Sequence, residues 1–235
     1  MTDQKTKMEK EQLQIKLIFK SIFFLVVIIA ITFITAGSIK YWQGWIYNGL
    51  NVFFTILSLI VLWDKKDLIT ERLNPGKGMK KWDKMFLILS TPVYFSILII
   101  SVLDGCRFDW EPQVLLSVII SAIVVYVAGQ TIILWAKQVN RFFSSVVRIQ
   151  TDRGHTVCKD GPYKFIRHPG YFGGLLFTIV TPLVFGSFWG LIPTIVAIIL
   201  LFVRTYLEDK TLQAELPGYV EYTKEVKFKL LPGIW

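Results

Sequence analysis

The residues best suited to chemistry lie in two stretches of the second half of the chain. The first contains Gly161-Pro162-Tyr163 and, shortly after it, Arg167-His168-Pro169-Gly170-Tyr171. Gly-Pro marks a turn, and Pro169 suits the first turn of a helix, whose free N–H groups bind carboxylates or phosphates. Tyrosine rings stack on flat ligands while their hydroxyls stay in water. Together these residues predict a ligand site, although arginine and tyrosine also serve as anchors at membrane edges.

The second stretch contains Arg204 and Glu208, which follow a long apolar run. Their spacing puts both side chains on one helical face, where they can form a stabilising pair. Ionisable residues at a membrane boundary are costly and commonly functional. If the last two spans form a hairpin, Glu208 faces His168 and Tyr171 across a small pocket. A carboxylate there suits a cationic or hydroxyl-bearing ligand, and the arginine suits an anionic one.

Familiar catalytic and metal-binding patterns are missing from the sequence. It contains no P-loop, no dinucleotide-binding glycine motif, no Gly-x-Ser-x-Gly and no His-Glu-x-x-His. Its two histidines, His155 and His168, have a spacing that matches no common set of metal ligands. We therefore expect no metal site.

Apolar runs surround these stretches and predict the elements that position them. The chain has 235 residues and is 53% hydrophobic but only 18% charged, whereas soluble domains average about 25% charged residues. This composition excludes a soluble enzyme, a disordered chain and a nucleic-acid-binding module. Four runs without charged residues are each long enough to cross a bilayer core of about 30 Å: 21–39, 41–63, 85–103 and 112–136.

A fifth run, 169–203, is too long for one span, since a straight helix of that length would measure about 50 Å. Turn and helix-start residues interrupt it: Pro182, Gly186, Gly190 and Pro193. We therefore expect two short spans, about 170–185 and 189–206, joined by a tight turn. The predicted fold is all-α, a polytopic integral membrane protein with about six transmembrane helices, of which the last two form a short helical hairpin.

The distribution of basic residues supports this span count. With six spans and both termini in the cytoplasm, 24 of the 26 lysines and arginines lie on the inner side, and only Lys40 and Arg107 lie outside. Such an excess is what the positive-inside rule describes. Topology and contact with anionic membrane lipid then explain the net charge of +9, and no nucleic-acid partner is needed. The isoleucine- and lysine-rich composition indicates a bacterial plasma membrane.

The segment from His155 to the C-terminus resembles the isoprenylcysteine carboxyl methyltransferase family, whose relatives include the phospholipid N-methyltransferases. The family pattern combines a histidine, Gly-Pro-Tyr, Arg-His-Pro-x-Tyr, Arg-x-x-x-Glu and a tyrosine-containing tail that ends near Leu-Pro. In this sequence the pattern corresponds to His155, Gly161-Pro162-Tyr163, Arg167-His168-Pro169-Gly170-Tyr171, Arg204 with Glu208-Asp209 and Leu212, Tyr219 with Tyr222, and Leu231-Pro232. One departure is Arg148, which stands where the prenylcysteine enzymes have a glutamine.

The resemblance implies roles for individual residues. It makes Arg204 and Glu208 the catalytic candidates, with Arg204 binding the methyl acceptor. It also implies a set of residues that bind S-adenosylmethionine: His155, Thr156, Val157, Cys158, Tyr163, His168, Pro169, Gly170, Tyr171 and Glu208. The chain is then a single membrane domain, 1–235, with four spans in 1–136 and a methyltransferase-like cofactor-binding region in 137–235.

The predicted function is therefore that of a membrane methyltransferase that uses S-adenosylmethionine. Its acceptor is a lipophilic molecule: the carboxylate of a prenylcysteine-like compound, or another lipid or small lipophilic carboxylate, amine or thiol. Because the sulfonium of the cofactor already activates the methyl group, the protein needs mainly to align the acceptor. The lack of an obvious catalytic base in the sequence is consistent with this reaction. The sequence leaves the oligomeric state open, and we expect the loop 64–84 to be a solvated connector.

Two other functions are compatible with parts of the sequence. Sterol and steroid reductases that use NADPH carry a similar pattern around His-Pro-Asn-Tyr-x-Gly-[Glu/Asp], but this chain has Gly170 and Gly174 in place of its two polar markers. A membrane transporter or scaffold would need ionisable residues within its spans. The runs 85–103, 112–136 and 169–203 have none.

Overall fold

The computed structural model of the chain describes residues 2–74, 78–110 and 112–235, with side chains from residue 8 onward. Within these residues there are helices and turns but no strand, which confirms the all-α prediction. The α-helices, in chain order, are α1 (Thr2–Ala36), α2 (Trp42–Leu62), α3 (Lys66–Leu73), α4 (Lys81–Val102), α5 (Leu116–Val139), α6 (Pro169–Val184), α7 (Leu191–Glu215) and α8 (Tyr219–Glu225). A π-helical turn, Leu103–Phe108, extends α4.

The long apolar helices make the chain a multi-pass integral membrane protein. In the described part of the chain, five helices are long and apolar enough to cross a bilayer: Met8–Ala36, Trp42–Leu62, Lys81–Phe108, Leu116–Val139 and Leu191–Glu215. A further apolar helix, α6, has 16 residues and is therefore about 24 Å long, shorter than a bilayer core of about 30 Å. Residues 185–190 connect α6 to α7, which contact each other.

Two glycines bring α5 and α6 into close contact. A Cβ atom added to Gly129 would lie 2.7 Å from the carbonyl oxygen of Gly173, and one added to Gly173 would collide with the carbonyl oxygen of Gly129. Small residues allow such close approach of backbones between membrane helices. This contact sets the position of α6, the helix that begins at Pro169.

The segment between α2 and α4 differs from the solvated connector that the sequence predicts. Its helix α3 is amphipathic, with Leu68 and Ile69 buried against Leu13 and Leu17 of α1 and against Phe143. A helix of eight residues with only two buried apolar positions is too short a pattern to be recognised in the sequence. The centre of the predicted turn that follows, residues 75–77, lies outside the described residues, as does Glu111 in the predicted outer loop.

The end of α7 also differs from the prediction. The helix continues to Glu215, well past the predicted end near residue 206, so Glu208 lies within the helix rather than at its end. After α8 the chain returns to the start of α6. The N–H groups of Arg167 and His168 donate to the carbonyl oxygens of Phe228 and Lys229 at 3.0 and 2.9 Å.

The glycine contact between α5 and α6 can be tested by adding one methyl group. Gly173→Ala is expected to lower the free energy of unfolding by about 1–3 kcal/mol, because the new Cβ meets backbone that cannot move easily. Gly49→Ala is the matched control, since a Cβ at Gly49 has nothing within 4 Å. Thermal unfolding in one fixed detergent measures both variants. Equal unfolding midpoints for the two variants would show that the contact is unimportant.

Candidate functional site

A cavity of about 230 Å³ lies at the end of the bundle where α5 ends and α6 begins. Its walls come from the loop that follows α5, from the start of α6 and from α7 and α8. The structure brings together at this cavity most of the residues that the motifs nominate: His155, Thr156, Val157, Cys158, Tyr163, His168, Gly170, Tyr171, Arg204 and Glu208. Pro169 is the exception, since it does not line the cavity and serves as the first residue of α6.

The start of α6 is held by a buried ion pair. Arg167 donates through Nε and Nη2 to the two carboxylate oxygens of Asp209, at 2.8 and 3.0 Å, and both side chains are almost fully buried. Tyr219 donates to the same carboxylate at 3.1 Å, and His168 Nε2 lies 3.3 Å from it. A charge pair at this depth needs such additional hydrogen bonds to be stable. The cluster fixes His168 beside the cavity.

Only some of the N–H groups at the start of α6 are free to bind an anion, the role that the sequence predicts for them. Because Arg167 and His168 donate their N–H groups to the C-terminal segment, and because Pro169 has none, these positions cannot bind an anion through the backbone. The sequence could not reveal this, since the acceptor carbonyls lie about sixty residues further along the chain. Side chains therefore provide most of the polar groups of the cavity.

Glu208 contacts Tyr171, and both residues line the cavity together with His168. The Tyr171 hydroxyl donates a short hydrogen bond to Glu208 Oε2. The His168 and Tyr171 rings are stacked, with centroids 5.7 Å apart. Among the described residues, none donates to the other carboxylate oxygen of Glu208, which lines the cavity. That oxygen is free to accept a hydrogen bond from a ligand.

Arg204 does not pair with Glu208, the alternative that their spacing left open. Its Nε lies 3.0 Å from Asp83 Oδ1, and its Nη2 donates to the Ser145 carbonyl at 2.8 Å. The guanidinium also lies over the Tyr171 ring, 5.4 Å from the centroid. Asp83 is completely buried, so the arginine balances a charge that could not otherwise be there. Nη1 of Arg204 forms no hydrogen bond with any residue the structure describes.

Carboxylates from the first half of the chain hold the loop that follows α5. Asp83 Oδ2 accepts a hydrogen bond from the Val147 N–H at 2.7 Å. Arg148 donates to Glu71 of α3 at 2.5 and 3.0 Å, and these hydrogen bonds raise the pKa of Arg148. Asp152 adds a second partner for Arg148 at 2.8 Å. Sequence motifs missed Glu71 and Asp83, because neither residue has a local pattern and their partners lie more than sixty residues away.

His155 lies in the cavity wall as a neutral ring. Its Nδ1 accepts a hydrogen bond from the Gln150 N–H at 3.3 Å, and its ring contacts Phe142 with centroids 4.5 Å apart. Burial lowers the pKa of His155 to about 4, and the neighbouring charges of Arg148 and Arg153 lower it further in the same direction. Since Nδ1 is an acceptor, the proton of the neutral ring is on Nε2, which can donate to a ligand.

Tyr163 and Cys158 line the next part of the wall. The Tyr163 hydroxyl accepts a hydrogen bond from Asn140 Nδ2 at 3.0 Å, and its carbonyl accepts one from the Tyr222 hydroxyl at 2.6 Å. Burial raises the pKa of Tyr163 and of the Cys158 thiol, so both remain protonated at neutral pH. A protonated thiol is a poor nucleophile. Cys158 can therefore contribute to the cavity only as part of its surface.

Further residues line the cavity that the motifs did not nominate, including Asn140, Phe142, Phe143, Ser144 and Gln150. Of these residues, only the adjacent pair Phe142 and Phe143, shortly after α5, forms a local pattern that sequence analysis could have recognised. In the part of the chain that the structure describes, no group of three or more His, Cys, Asp or Glu residues is placed to hold a metal ion.

The neutral state of His155 predicts a pH dependence of stability. Histidine in an unfolded chain has a pKa near 6.5, so between about pH 4 and 6.5 the unfolded state binds more protons and stability rises with pH. We expect His155→Gln to flatten the rise of the melting temperature in this range, while above about pH 7 the two proteins run parallel. A variant whose slope equals that of the parent would contradict the buried, neutral assignment.

Comparison with known proteins tests the family that the motifs predict. Residues 119–214 match the family model described as the isoprenylcysteine carboxyl methyltransferase (ICMT) family. No curated protein matches the sequence significantly. The match covers most of α5, the loop after it, α6 and nearly all of α7, and thus most of the cavity wall. Residues 119–214 are therefore similar to the isoprenylcysteine carboxyl methyltransferase family, the family that the motifs predict.

Proposed function

We propose that the chain is a membrane methyltransferase that binds S-adenosylmethionine in the cavity between the loop after α5, α6 and α7. One observation carries the proposal: residues from motifs spread between His155 and Glu208 converge on a single cavity. If these residues served only as anchors at the membrane edge, they would not need to meet at one cavity. The family match supports methyl transfer and gives no support to a reductase or a transporter.

The chemistry of the cavity fits this cofactor. S-adenosylmethionine has an adenine ring, two ribose hydroxyls and an amino-acid end with an ammonium group. The free oxygen of Glu208 can accept a charge-assisted hydrogen bond from the hydroxyls or the ammonium. His155 offers an N–H donor, and Phe142 and Phe143 offer flat faces to an aromatic ring. Aromatic faces also attract a sulfonium cation.

The protein then contributes binding and alignment. The bound cofactor supplies a methyl group that is already activated for transfer. Tyr171 and Glu208 hold each other in place through their hydrogen bond, and Arg204 is fixed by Asp83 and Ser145. Such pre-orientation of reactants is worth several kcal/mol in a bimolecular reaction. A carboxylate acceptor needs no general base, and an amine or thiol needs only an outlet for its proton.

Arg204 remains our candidate for the residue that orients the acceptor. It contributes only its Nη1 group, because Asp83 and Ser145 engage the rest of the guanidinium. The charge of Asp83 also offsets that of the arginine. We therefore infer that Arg204 orients a lipophilic carboxylate, amine or thiol by one hydrogen bond rather than by neutralising it.

We further propose that α6 completes a set of six spans, with α6 and α7 forming a short hairpin and both termini in the cytoplasm of a bacterial cell. The distribution of basic residues supports this count, since only Lys40 and Arg107 then lie outside. A helix of 16 residues can cross where the bilayer thins locally around it.

The topology is tested by reporters fused before Met1 and after Trp235. With six spans, both are expected to respond as cytoplasmic, because an even number of crossings returns the chain to the same side. A C-terminal reporter that responds as extracytoplasmic would indicate five spans, with α6 not crossing the membrane. The assignment of the cavity to the cytoplasmic face of the membrane would then be wrong.

The cofactor proposal is tested by titrating S-adenosylmethionine into the purified protein and into Glu208→Gln. Loss of a charge-assisted hydrogen bond costs roughly 1.5–3 kcal/mol, so the dissociation constant is expected to rise about ten- to a hundredfold. Glu221→Gln is the matched control, since Glu221 lies exposed on α8 away from the cavity. Binding of NADPH instead of S-adenosylmethionine, or equal effects of both substitutions, would refute the assignment.

A further inference from the structure

A second cavity lies within the membrane-spanning bundle. It measures about 480 Å³, within the roughly 300–1,000 Å³ typical of sites for small molecules. Its walls come from α1, α2, α4, α5 and α6, and most of the lining is apolar, with Phe24, Ile28, Phe95 and Leu98 among its residues. A cavity of this kind fits a hydrocarbon chain that enters from the bilayer.

One wall of this intramembrane cavity is polar. The Tyr126 hydroxyl donates to Asn51 Oδ1 at 3.2 Å, and Gln130 Nε2 donates to the Tyr126 hydroxyl at 3.3 Å. All three residues line the cavity. The carbonyl oxygen of Gln130 accepts no hydrogen bond from any described residue. The first contact joins α5 to α2 and the second lies within α5, and helix packing alone would explain both. A free polar atom at this depth, however, is costly unless a ligand pairs with it.

The intramembrane cavity and the cofactor cavity share one face of α6. Tyr171 lines the cofactor cavity, and Thr178 and Thr181 line the intramembrane cavity. Gly174 lies between them at the three- and four-residue spacings that define a single helical face. A Cβ atom at Gly174 would meet only Phe177 within 4 Å, at 3.9 Å. No side chain of α6 therefore separates the two cavities along this face.

Helix α4 also lies beside both cavities. Tyr94 lines the intramembrane cavity, and Phe86, about two turns earlier on α4, has its ring centroid 4.7 Å from the guanidinium carbon of Arg204, which lines the cofactor cavity. Gly129 packs between Gly173 and Phe177, which places the neighbouring Gln130 about 5 Å beyond Tyr171 along α6, at 1.5 Å per residue. The full separation between Tyr171 and Gln130 also includes the distance from α6 across to α5.

We propose that the intramembrane cavity binds the apolar body of the methyl acceptor, and that Asn51, Tyr126 and Gln130 select an acceptor with a neutral hydrogen-bonding group. This group is a hydroxyl, which can donate a hydrogen bond to the free carbonyl oxygen of Gln130. The inference rests on the proposed function. A plain hydrocarbon chain, such as an unmodified prenyl group, leaves the polar wall unpaired and binds less well.

Two labelled fatty acids test this selection: stearic acid and the same acid with a mid-chain hydroxyl group. Equilibrium binding is measured on the full chain in lipid nanodiscs. We expect the hydroxylated acid to bind about tenfold more tightly, since it pairs with a buried polar group that the plain acid leaves unsatisfied. Gln130→Leu is expected to abolish this difference while stearic acid binds at least as well as before. Equal affinities in the parent, or no binding of either acid, would overturn the proposal.

The connection between the cavities is tested by Gly174→Leu, which fills the shared face. We expect this variant to weaken binding of both acids at least tenfold, because their carboxylates no longer reach the cofactor cavity. Gly49→Leu is the matched control, since Gly49 is exposed and a Cβ atom there meets nothing within 4 Å, and it should bind both acids like the parent. Unchanged binding by Gly174→Leu would show that the cavities are separate.

Titration of S-adenosylmethionine into the same samples separates this inference from the proposed function. Variants that bind the cofactor like the parent are folded, so a loss of acid binding by Gly174→Leu is then a local effect. If the parent binds the cofactor but does not discriminate between the acids, only the inference fails. If it discriminates between the acids but does not bind the cofactor, the proposed function fails and the selective cavity remains.

Discussion

A single buried carboxylate organises the cofactor cavity. Asp83 is completely buried, with one oxygen 3.0 Å from Arg204 of α7 and the other accepting the Val147 N–H of the loop after α5. Three segments that are distant in the chain therefore meet on one side chain. Removal of one partner of such a pair typically costs 3–5 kcal/mol, because the other charge is left buried and alone. The shape of the cavity depends on this contact more than on the packing of any one apolar residue.

Other arginines around the cavity also pair with buried carboxylates. Arg167 pairs with Asp209, and Arg148 pairs with Glu71, so arginines that could have bound an anionic ligand instead join segments of the protein. What remains for a ligand among the described residues is a smaller set of groups: the free oxygen of Glu208, the N–H of His155, Nη1 of Arg204 and aromatic faces. This set suits a ligand with hydroxyl and cationic groups, which is consistent with S-adenosylmethionine.

The parts of the structure that local patterns determine could be predicted from the sequence. Uncharged runs locate the long helices, Pro169 marks the start of α6, and the motifs from His155 to Glu208 name residues that line one cavity. The parts that depend on distant partners could not be predicted. The pairing of Arg204 with Asp83 and the return of the C-terminal segment to His168 have no local signal. Helix α3 was missed for a different reason, since its apolar pattern is too short to stand out.

The two halves of the chain divide the work of the proposed reaction. The family match begins at residue 119 and includes nearly all the residues expected to touch the cofactor. The carboxylates that hold this part in place, Glu71 and Asp83, precede it, and so do most walls of the intramembrane cavity. Methyl transfer from one cofactor places the same demands on every acceptor, whereas each acceptor needs its own hydrocarbon and polar contacts. In the proposed reaction, most apolar contacts to the acceptor therefore come from α1, α2 and α4. Tyr126, Gln130 and most of the groups proposed to hold the cofactor lie in the segment that matches the family.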